Sequence, residues 1–164
     1  MKKVLLFVFA LLTISVNFVL INKIGERRSY ENKANKSEEL LVIRVIDGDT
    51  IELETGDRVR YLAIDAPELK NKNSDCFSEQ AKLKNESLVL GKLIRLETEF
   101  DKKDKYDRVL AYVWVDNILV NIELVRNGFA KTDTFLSRGK YNNQIEEAER
   151  IAKEQELGLW GECY

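Results

Sequence analysis

Apolar positions along the chain first gather in one run, Val4 to Ile21, 18 residues interrupted only by Thr13, Ser15 and Asn17 and preceded by Lys2 and Lys3. As a helix this run would reach ~27 Å at ~1.5 Å per residue, near the ~30 Å hydrocarbon core and longer than the ~7–15 apolar residues of a cleavable signal. Being apolar on all faces, it predicts an N-terminal hydrophobic helix over residues 1–21, a membrane anchor or signal segment, with membrane contact through residues 4–21 if it is not cleaved. Residues 22–39 are Lys, Arg, Glu, Asn and Ser with only Ile24, Tyr30 and Ala34 as apolar relief, which predicts a flexible polar tether.

From Leu40 onward the pattern changes to that of a folded domain, residues 40–164. Leu40 to Ile46 is rich in β-branched residues and meets Asp47-Gly48, a hairpin signal, after which Thr50 to Glu54 alternates as a strand. Thr55-Gly56-Asp57 turns the chain into a third strand, Arg58 to Ile64. Ser78 to Leu90 reads as a helix, with Ala81, Leu83, Leu88 and Val89 recurring and Gly91 at its end. Two more strands follow, Lys92 to Glu99 and Val109 to Val115, the second turning at Asp116-Asn117 toward Ile118 to Val120. Asn121 is placed to cap a short helix, Ile122 to Asn127, ended by Gly128. Asn143 with Glu146 imitates a capping box for a last helix to about Glu156, with Ile145, Ala148, Ile151 and Ala152 on one face. Five early strands with about three helices predict an α+β, mainly β fold: a five-stranded Greek-key barrel of the OB type.

Composition narrows the chemistry. The 164 residues contain no histidine, which excludes Ser-His-Asp hydrolysis, imidazole acid–base catalysis and His-ligated metals. Catalysis falls to carboxylates, Lys, Arg and Tyr. The net charge of −2 is uneven: residues 1–40 hold seven basic and four acidic residues, and the remainder 19 basic and 24 acidic, net −5. A phosphate ligand therefore needs a local site rather than a basic surface. Cys76 and Cys163 are too few and too far apart for a thiolate metal cage, so they are a disulfide or two independent thiols.

Asp49 leaves the tight turn of Val45-Ile46-Asp47-Gly48-Asp49-Thr50, and Asp65 and Glu68 end the third strand in Ile64-Asp65-Ala66-Pro67-Glu68. Because the second and third strands are neighbours, these carboxylates can converge into a hard oxygen site suited to Ca²⁺ or Mg²⁺. Asp47 alone reads as an Asx-turn residue. Arg60 should share a face with Leu62 and Ile64 if the pleat is regular, and a charge on an apolar face pairs with something or serves a site. Arg108, beside Asp104 and Asp107, reads in isolation as half of a solvated ion pair.

Taken together, Val45-Ile46-Asp47-Gly48-Asp49-Thr50, Arg60-Tyr61-Leu62-Ala63-Ile64-Asp65-Ala66-Pro67-Glu68, Lys105-Tyr106-Asp107-Arg108-Val109-Leu110-Ala111-Tyr112 and Gly158-Leu159-Trp160 closely resemble the staphylococcal nuclease (thermonuclease) family over residues 41 to about 161. The resemblance implies a Ca²⁺-dependent phosphodiesterase on an OB-fold that cleaves DNA, RNA or both, with products ending in 3′-phosphate. It implies Asp49, Asp65 and the backbone carbonyl of Ala66 as calcium ligands, and Glu68 as the residue that activates the attacking water. Arg60 and Arg108 are implied as the pair on the scissile phosphate, and Lys105 and Tyr106 as neighbours of the nucleotide's terminal phosphate. Two departures stand out. Asp107 replaces the family's usual glycine, and the family's stacking tyrosines align with Thr134 and Leu136. The alternative function is a non-catalytic OB-fold module that binds nucleic acid, since related domains keep the barrel without these side chains. A monomer is expected, extracytoplasmic and either membrane-anchored or secreted, in which an oxidising compartment would pair Cys76 with Cys163 across 87 residues.

Overall fold

The computed structural model describes residues 39–70, 72–99, 103–133 and 139–164. The hydrophobic segment expected over 1–21 and the tether expected after it lie outside the described residues, except Glu39, which opens the first strand. Among the described residues no helix is long and apolar enough to cross a membrane.

Strands β1 (Glu39–Val45), β2 (Thr50–Leu53) and β3 (Arg58–Tyr61) form an antiparallel meander. Strand β5 (Leu93–Glu97) returns beside β1, and β6 (Val109–Val115) runs antiparallel to β5 and parallel to β3. The cycle β1-β2-β3-β6-β5 therefore closes on itself, which gives the expected five-stranded barrel and leaves those strands without open edges. Closure requires β1 to serve two partners. Its first half, Glu39 to Leu41, pairs with β5, and its second half pairs with β2 across a register shift between Val42 and Arg44. An irregularity of this kind bends a strand and raises its twist, as a small barrel demands. Val42, Ile51, Val59, Tyr61, Ile94 and Val113 fill the interior.

The third strand does not run on to Ile64 as the alternation predicts. It ends at Tyr61, Ala63 takes a left-handed conformation (φ 61°), and Ile64–Asp65 resume as β4, paired with β8 (Lys131–Thr132) in a small second sheet. The break has an identifiable partner in Asn121. Expected as a helix cap, Asn121 instead lies inside α2 (Val120–Arg126), fully buried, donating to the Leu62 carbonyl at 2.9 Å and accepting from the Val113 amide at 2.9 Å. One amide side chain thus ties the corner after β3 to the centre of β6.

Helix α1 (Ser78–Val89) buries Ala81 and Val89 and packs Leu88 against the core as expected, but Leu83 is exposed, and Ser78 and Asn85 complete the inward face because the interior on this side is partly polar. Helix α3 (Asn142–Glu154) buries Ile145, Ala148 and Ala152 as predicted, although Tyr141 stands at the cap position and no side chain caps it, so the box from Asn143 to Glu146 does not form. The short strand β7 (Ile118–Leu119) and the single-turn α4 (Leu159–Glu162) complete the fold. The start of α4 is seated by glycines: a Cβ on Gly158 would lie 2.3 Å from the Gly128 carbonyl oxygen, which accepts the Leu159 amide at 2.9 Å. That close approach accounts for glycine in Gly158-Leu159-Trp160.

Candidate active site

The loop from β1 to β2 carries Asp47, Gly48 and Asp49. Gly48 is not there for a positive φ. A Cβ at this position would lie 2.6 Å from that of Ala66 and 2.9 Å from that of Ala81, so glycine lets the loop press against both the segment after β4 and helix α1. Asp47 behaves as an Asx-turn residue, its Oδ1 accepting the Asp49 amide at 3.0 Å. The loop is tied to α1 by Asn85, which donates to the Asp47 carbonyl at 3.1 Å and accepts from the Tyr61 hydroxyl at 2.9 Å. Nothing in the hydropathy pattern marks Asn85, because its partners come from two distant elements.

Asp49 is only 4% exposed and its carboxylate is enclosed by donors. Oδ2 accepts the Ala66 amide at 2.7 Å, while Oδ1 accepts the Thr50 hydroxyl at 3.1 Å and faces Arg60 Nε at 3.0 Å. Burial pushes its pKa from 3.8 up to about 7; Arg60 and the Ala66 amide oppose the rise, and Asp47 and Asp65 add to it. One guanidinium does not fully compensate the negative charge gathered in this pocket.

Arg60 bridges two carboxylates. Its Nη2 donates to Asp65 Oδ1 at 3.0 Å, and its Nη1 donates to the carbonyls of Tyr61 at 2.7 Å and Ile64 at 2.6 Å. Three guanidinium N–H groups are thus hydrogen-bonded and Nε is ion-paired with Asp49, which leaves one Nη2 hydrogen without a partner among the described residues. Asp65 differs from Asp49 in being open, with 58% of its side chain exposed.

Asp65, Ala66, Pro67 and Glu68 line one side of a cleft of about 270 Å³; Asp75, Lys131, Tyr164 and the Cys76–Cys163 pair line the rest. The two sulfurs are bonded, with the Cα atoms 6.0 Å apart. Glu68 is exposed and its side chain has no hydrogen-bond partner among the described residues. Its backbone is held by two bonds to Asp75: the Glu68 amide donates to Asp75 Oδ2 at 3.1 Å and the Asp75 amide to the Glu68 carbonyl at 3.0 Å. Because Cys76 follows, the disulfide anchors the segment that carries Glu68.

Arg108 stands apart from this cluster, at the start of β6. Its Nε and Nη2 both lie 2.8 Å from Asp104 Oδ2, while Asp104 Oδ1 accepts the amides of Tyr106 and Arg108. The carboxylate that pairs with Arg108 is therefore Asp104. Asp107 adopts φ 62° with its side chain in solvent 3.6 Å from Lys103, taking the left-handed turn that glycine would take freely. Lys105 Nζ and the Arg108 guanidinium both lie near the exposed Tyr106 ring, 4.9 and 5.3 Å from its centroid. Thr134 and Leu136 lie outside the described residues.

The donor set has the chemistry of a hard-cation site: two carboxylates brought together by one guanidinium, with the backbone carbonyl of Ala66 beside them, no histidine in the chain and the neighbouring cysteines bonded to each other rather than free as thiolates. Among the described residues no group of three or more Asp, Glu or Cys converges, so a cation here would complete its shell with carbonyl oxygen and water.

The chain is similar in sequence to known proteins. The family model described as "Staphylococcal nuclease homologue" matches residues 58–162. The chain is 34% identical over 130 residues to the thermonuclease of Staphylococcus intermedius, covering 76% of this chain and 77% of that protein. It is 28% identical over 169 residues to the thermonuclease of Staphylococcus hyicus, covering 98% and 99%. Against the SPbeta prophage-derived endonuclease YokF of Bacillus subtilis identity is 39% over 124 residues, 71% of this chain but 42% of that longer protein.

Proposed function

Since the chain belongs to the staphylococcal nuclease family and is a phosphodiester hydrolase, we propose that it is a calcium-dependent nuclease acting on DNA, RNA or both at the mouth of the Glu68 cleft. The observation that carries this reading is the placement of Arg60 between the carboxylates of Asp49 and Asp65, the second of which shares a cleft with Glu68, a side chain with no hydrogen-bond partner among the described residues. Asp49, Asp65 and the Ala66 carbonyl would hold the calcium ion. When bound, the ion supplies positive charge that offsets the buried carboxylates and polarises the phosphate.

The protein's own groups divide the remaining work. Glu68, exposed and without a hydrogen-bond partner among the described residues, accepts the proton of the water whose oxygen attacks phosphorus. The bond to the 5′-oxygen of the next nucleotide breaks, that oxygen takes up a proton from solvent to leave as a 5′-hydroxyl, and a 3′-phosphate end remains. Arg60 and Arg108 donate to the phosphoryl oxygens as charge grows on them, and bidentate guanidinium donors suit that task better than an ammonium. Arg60 is pre-aimed by its two carbonyl contacts. Arg108 has both Nη1 hydrogens left over from its pairing with Asp104. Lys105 and Tyr106 lie on the same exposed loop and are assigned to the flanking phosphate.

The apolar run at residues 4–21 and the Cys76–Cys163 bond both suit an extracytoplasmic protein, anchored or secreted. The domain's net charge of −5 favours short or single-stranded substrates over tight binding to long duplexes. Digestion of plasmid and single-stranded DNA in calcium or in chelator tests the assignment, with Glu68→Gln and Asp49→Ala as inactive controls. Equal cutting in chelator would remove the calcium role. Binding without cutting under any condition would favour a non-catalytic OB-fold module.

A further inference from the structure

The cleft that Glu68 lines is also lined by Tyr164, an aromatic residue that the proposed chemistry does not use. Tyr164 is 74% exposed, yet it is fixed at three points. Its backbone follows Cys163, which is bonded to Cys76. One face of its ring stacks on Trp160, centroids 5.2 Å apart and planes tilted by 24°. Its hydroxyl accepts a hydrogen bond from Lys131 Nζ, so the ammonium sits at the rim of the ring, 4.9 Å from the centroid. Trp160 is steadied in turn by Lys153, whose ammonium lies 4.5 Å from the centre of the indole. Among the described residues no other ring stacks on Tyr164, and with one face on Trp160 and Lys131 at the rim its 74% exposure leaves the second face to solvent.

Lys131 links this ring to the reacting end of the cleft, because it pairs with Asp65 in the register of β8 and β4. The surroundings select what the open face can take. Asp65, Glu68 and Asp75 line the same cleft and repel a phosphate that has no cation beside it, whereas a nucleobase is neutral and presents a flat π-surface. Stacking on an exposed aromatic ring is tolerant of base identity, and a ring already held in place gives up little conformational freedom on binding.

We infer that Tyr164, stacked on Trp160 and held by Lys131 and the Cys76–Cys163 bond, is a nucleobase-stacking subsite for a nucleotide adjacent to the cleaved linkage. This rests on the nuclease reading for the identity of the ligand. The subsite fixes one base of an unpaired strand and so lowers KM for single strands, while the chemical step stays with Glu68 and the arginines.

The test compares the full chain with Tyr164→Ala and Tyr164→Phe. Fluorescence anisotropy in chelator gives Kd for a single-stranded oligonucleotide and for a set carrying an abasic residue at each position in turn. Cleavage in calcium gives KM and kcat. Wild type is expected to bind about tenfold more weakly when one particular base is missing, since losing one stacked base has an effect of roughly that size. Tyr164→Ala should bind the intact strand about tenfold more weakly, ignore the abasic position, and show a matching rise in KM with kcat within about twofold. Tyr164→Phe keeps the ring face and should follow wild type. A Tyr164→Ala protein with wild-type Kd, KM and abasic pattern overturns the subsite, as does a KM rise shared by Tyr164→Phe. If wild type shows the abasic pattern but never cuts, the nuclease reading fails and the subsite stands; if it cuts and Tyr164→Ala is indistinguishable, the reverse holds.

Discussion

Arg60 and Arg108 flank the same seam, where β3 and β6 run parallel, yet Arg60 is buried and held by three hydrogen bonds and an ion pair to Asp49, while Arg108 leans on one carboxylate of its own loop. Arg60's partners come from the loop before β2, the end of β3 and the start of β4, so its position follows from the barrel's closure. Arg108 and Asp104 are four residues apart and need only a turn. Two guanidinium groups proposed for the same phosphate are therefore coupled to folding very differently. In the first case stability and function share a residue; in the second they separate.

The largest effect should come from removing Arg60. Breaking a buried ion pair leaves the partner uncompensated and typically costs about 3–5 kcal/mol, so Arg60→Ala should lower unfolding stability by that order and also reduce kcat at least about a hundredfold. Urea denaturation and steady-state cleavage measure both. A variant that loses activity but keeps its urea midpoint would show that the buried cluster carries no folding energy and would erase the contrast.

Arg108→Ala should show the separated case. Its ion pair is partly solvated, and such pairs are worth about 0–1 kcal/mol, whereas a donor to transition-state charge supplies about 3 kcal/mol, roughly a hundredfold in kcat. Near-normal turnover would return Arg108 to the surface ion pair that its sequence neighbours suggest. Arg→Lys should rescue neither site, since an ammonium cannot make a bidentate contact.

Acid and base should act on the two regions with opposite sign. Asp49 has a folded-state pKa raised to about 7 from 3.8, so between those values the folded protein holds a proton that the unfolded chain has released. Its contribution is fully present below about pH 4 and is lost as pH rises toward 7. For Asp104, burial raises the pKa, but the hydrogen bonds from the Arg108 amide and guanidinium and the Tyr106 amide outweigh it, leaving the group below its ordinary value. Its contribution is present above about pH 4 and is lost as pH falls through the lower folded value. In metal-free protein, Asp49→Asn, which stays neutral, should gain stability relative to wild type from pH 4 to 7, whereas the advantage of wild type over Asp104→Asn should shrink only below pH 4. Parallel slopes would remove the distinction.

Asp107→Gly should have the smallest effect. The exposed side chain gives up a loose pairing with Lys103 while the φ of 62° becomes unstrained, so stability should change by no more than about 0.5 kcal/mol. Removing a negative charge from the Arg108 loop should lower KM by about twofold. A tenfold change in either direction would place Asp107 in the substrate's path.

These outcomes bear on how much of the molecule can be read from its sequence. The strands, the barrel class, the closing face of α3 and the Asp49, Asp65 and Glu68 segments are legible because each depends on alternation or turn chemistry within a few residues. The break at Ala63, the buried role of Asn121 and the burial of Asn85 on α1 are not, because each answers to a partner 24 or more residues away, Asn121 joining the corner after β3 to β6. Gly48 shows the same limit. The Asp-Gly pair signals a turn correctly, but the reason for glycine is the Cβ of Ala66 and of Ala81, which no local pattern contains.

By itself the sequence determined which chemistry is available. With no histidine and two cysteines, it left carboxylates, Lys, Arg and Tyr as the candidate groups, and its motifs singled out those proposed to act on phosphate. Only the tertiary structure decided how they are wired: that Arg60 is locked to Asp49 and Asp65 while Arg108 rests on Asp104, and that a disulfide holds Tyr164 in the cleft that Glu68 lines. The physical reason is that residue type and local spacing set the intrinsic charge and geometry of each group. Burial, the shift of the Asp49 pKa and the choice of partner arise only when barrel closure removes water and brings distant segments together.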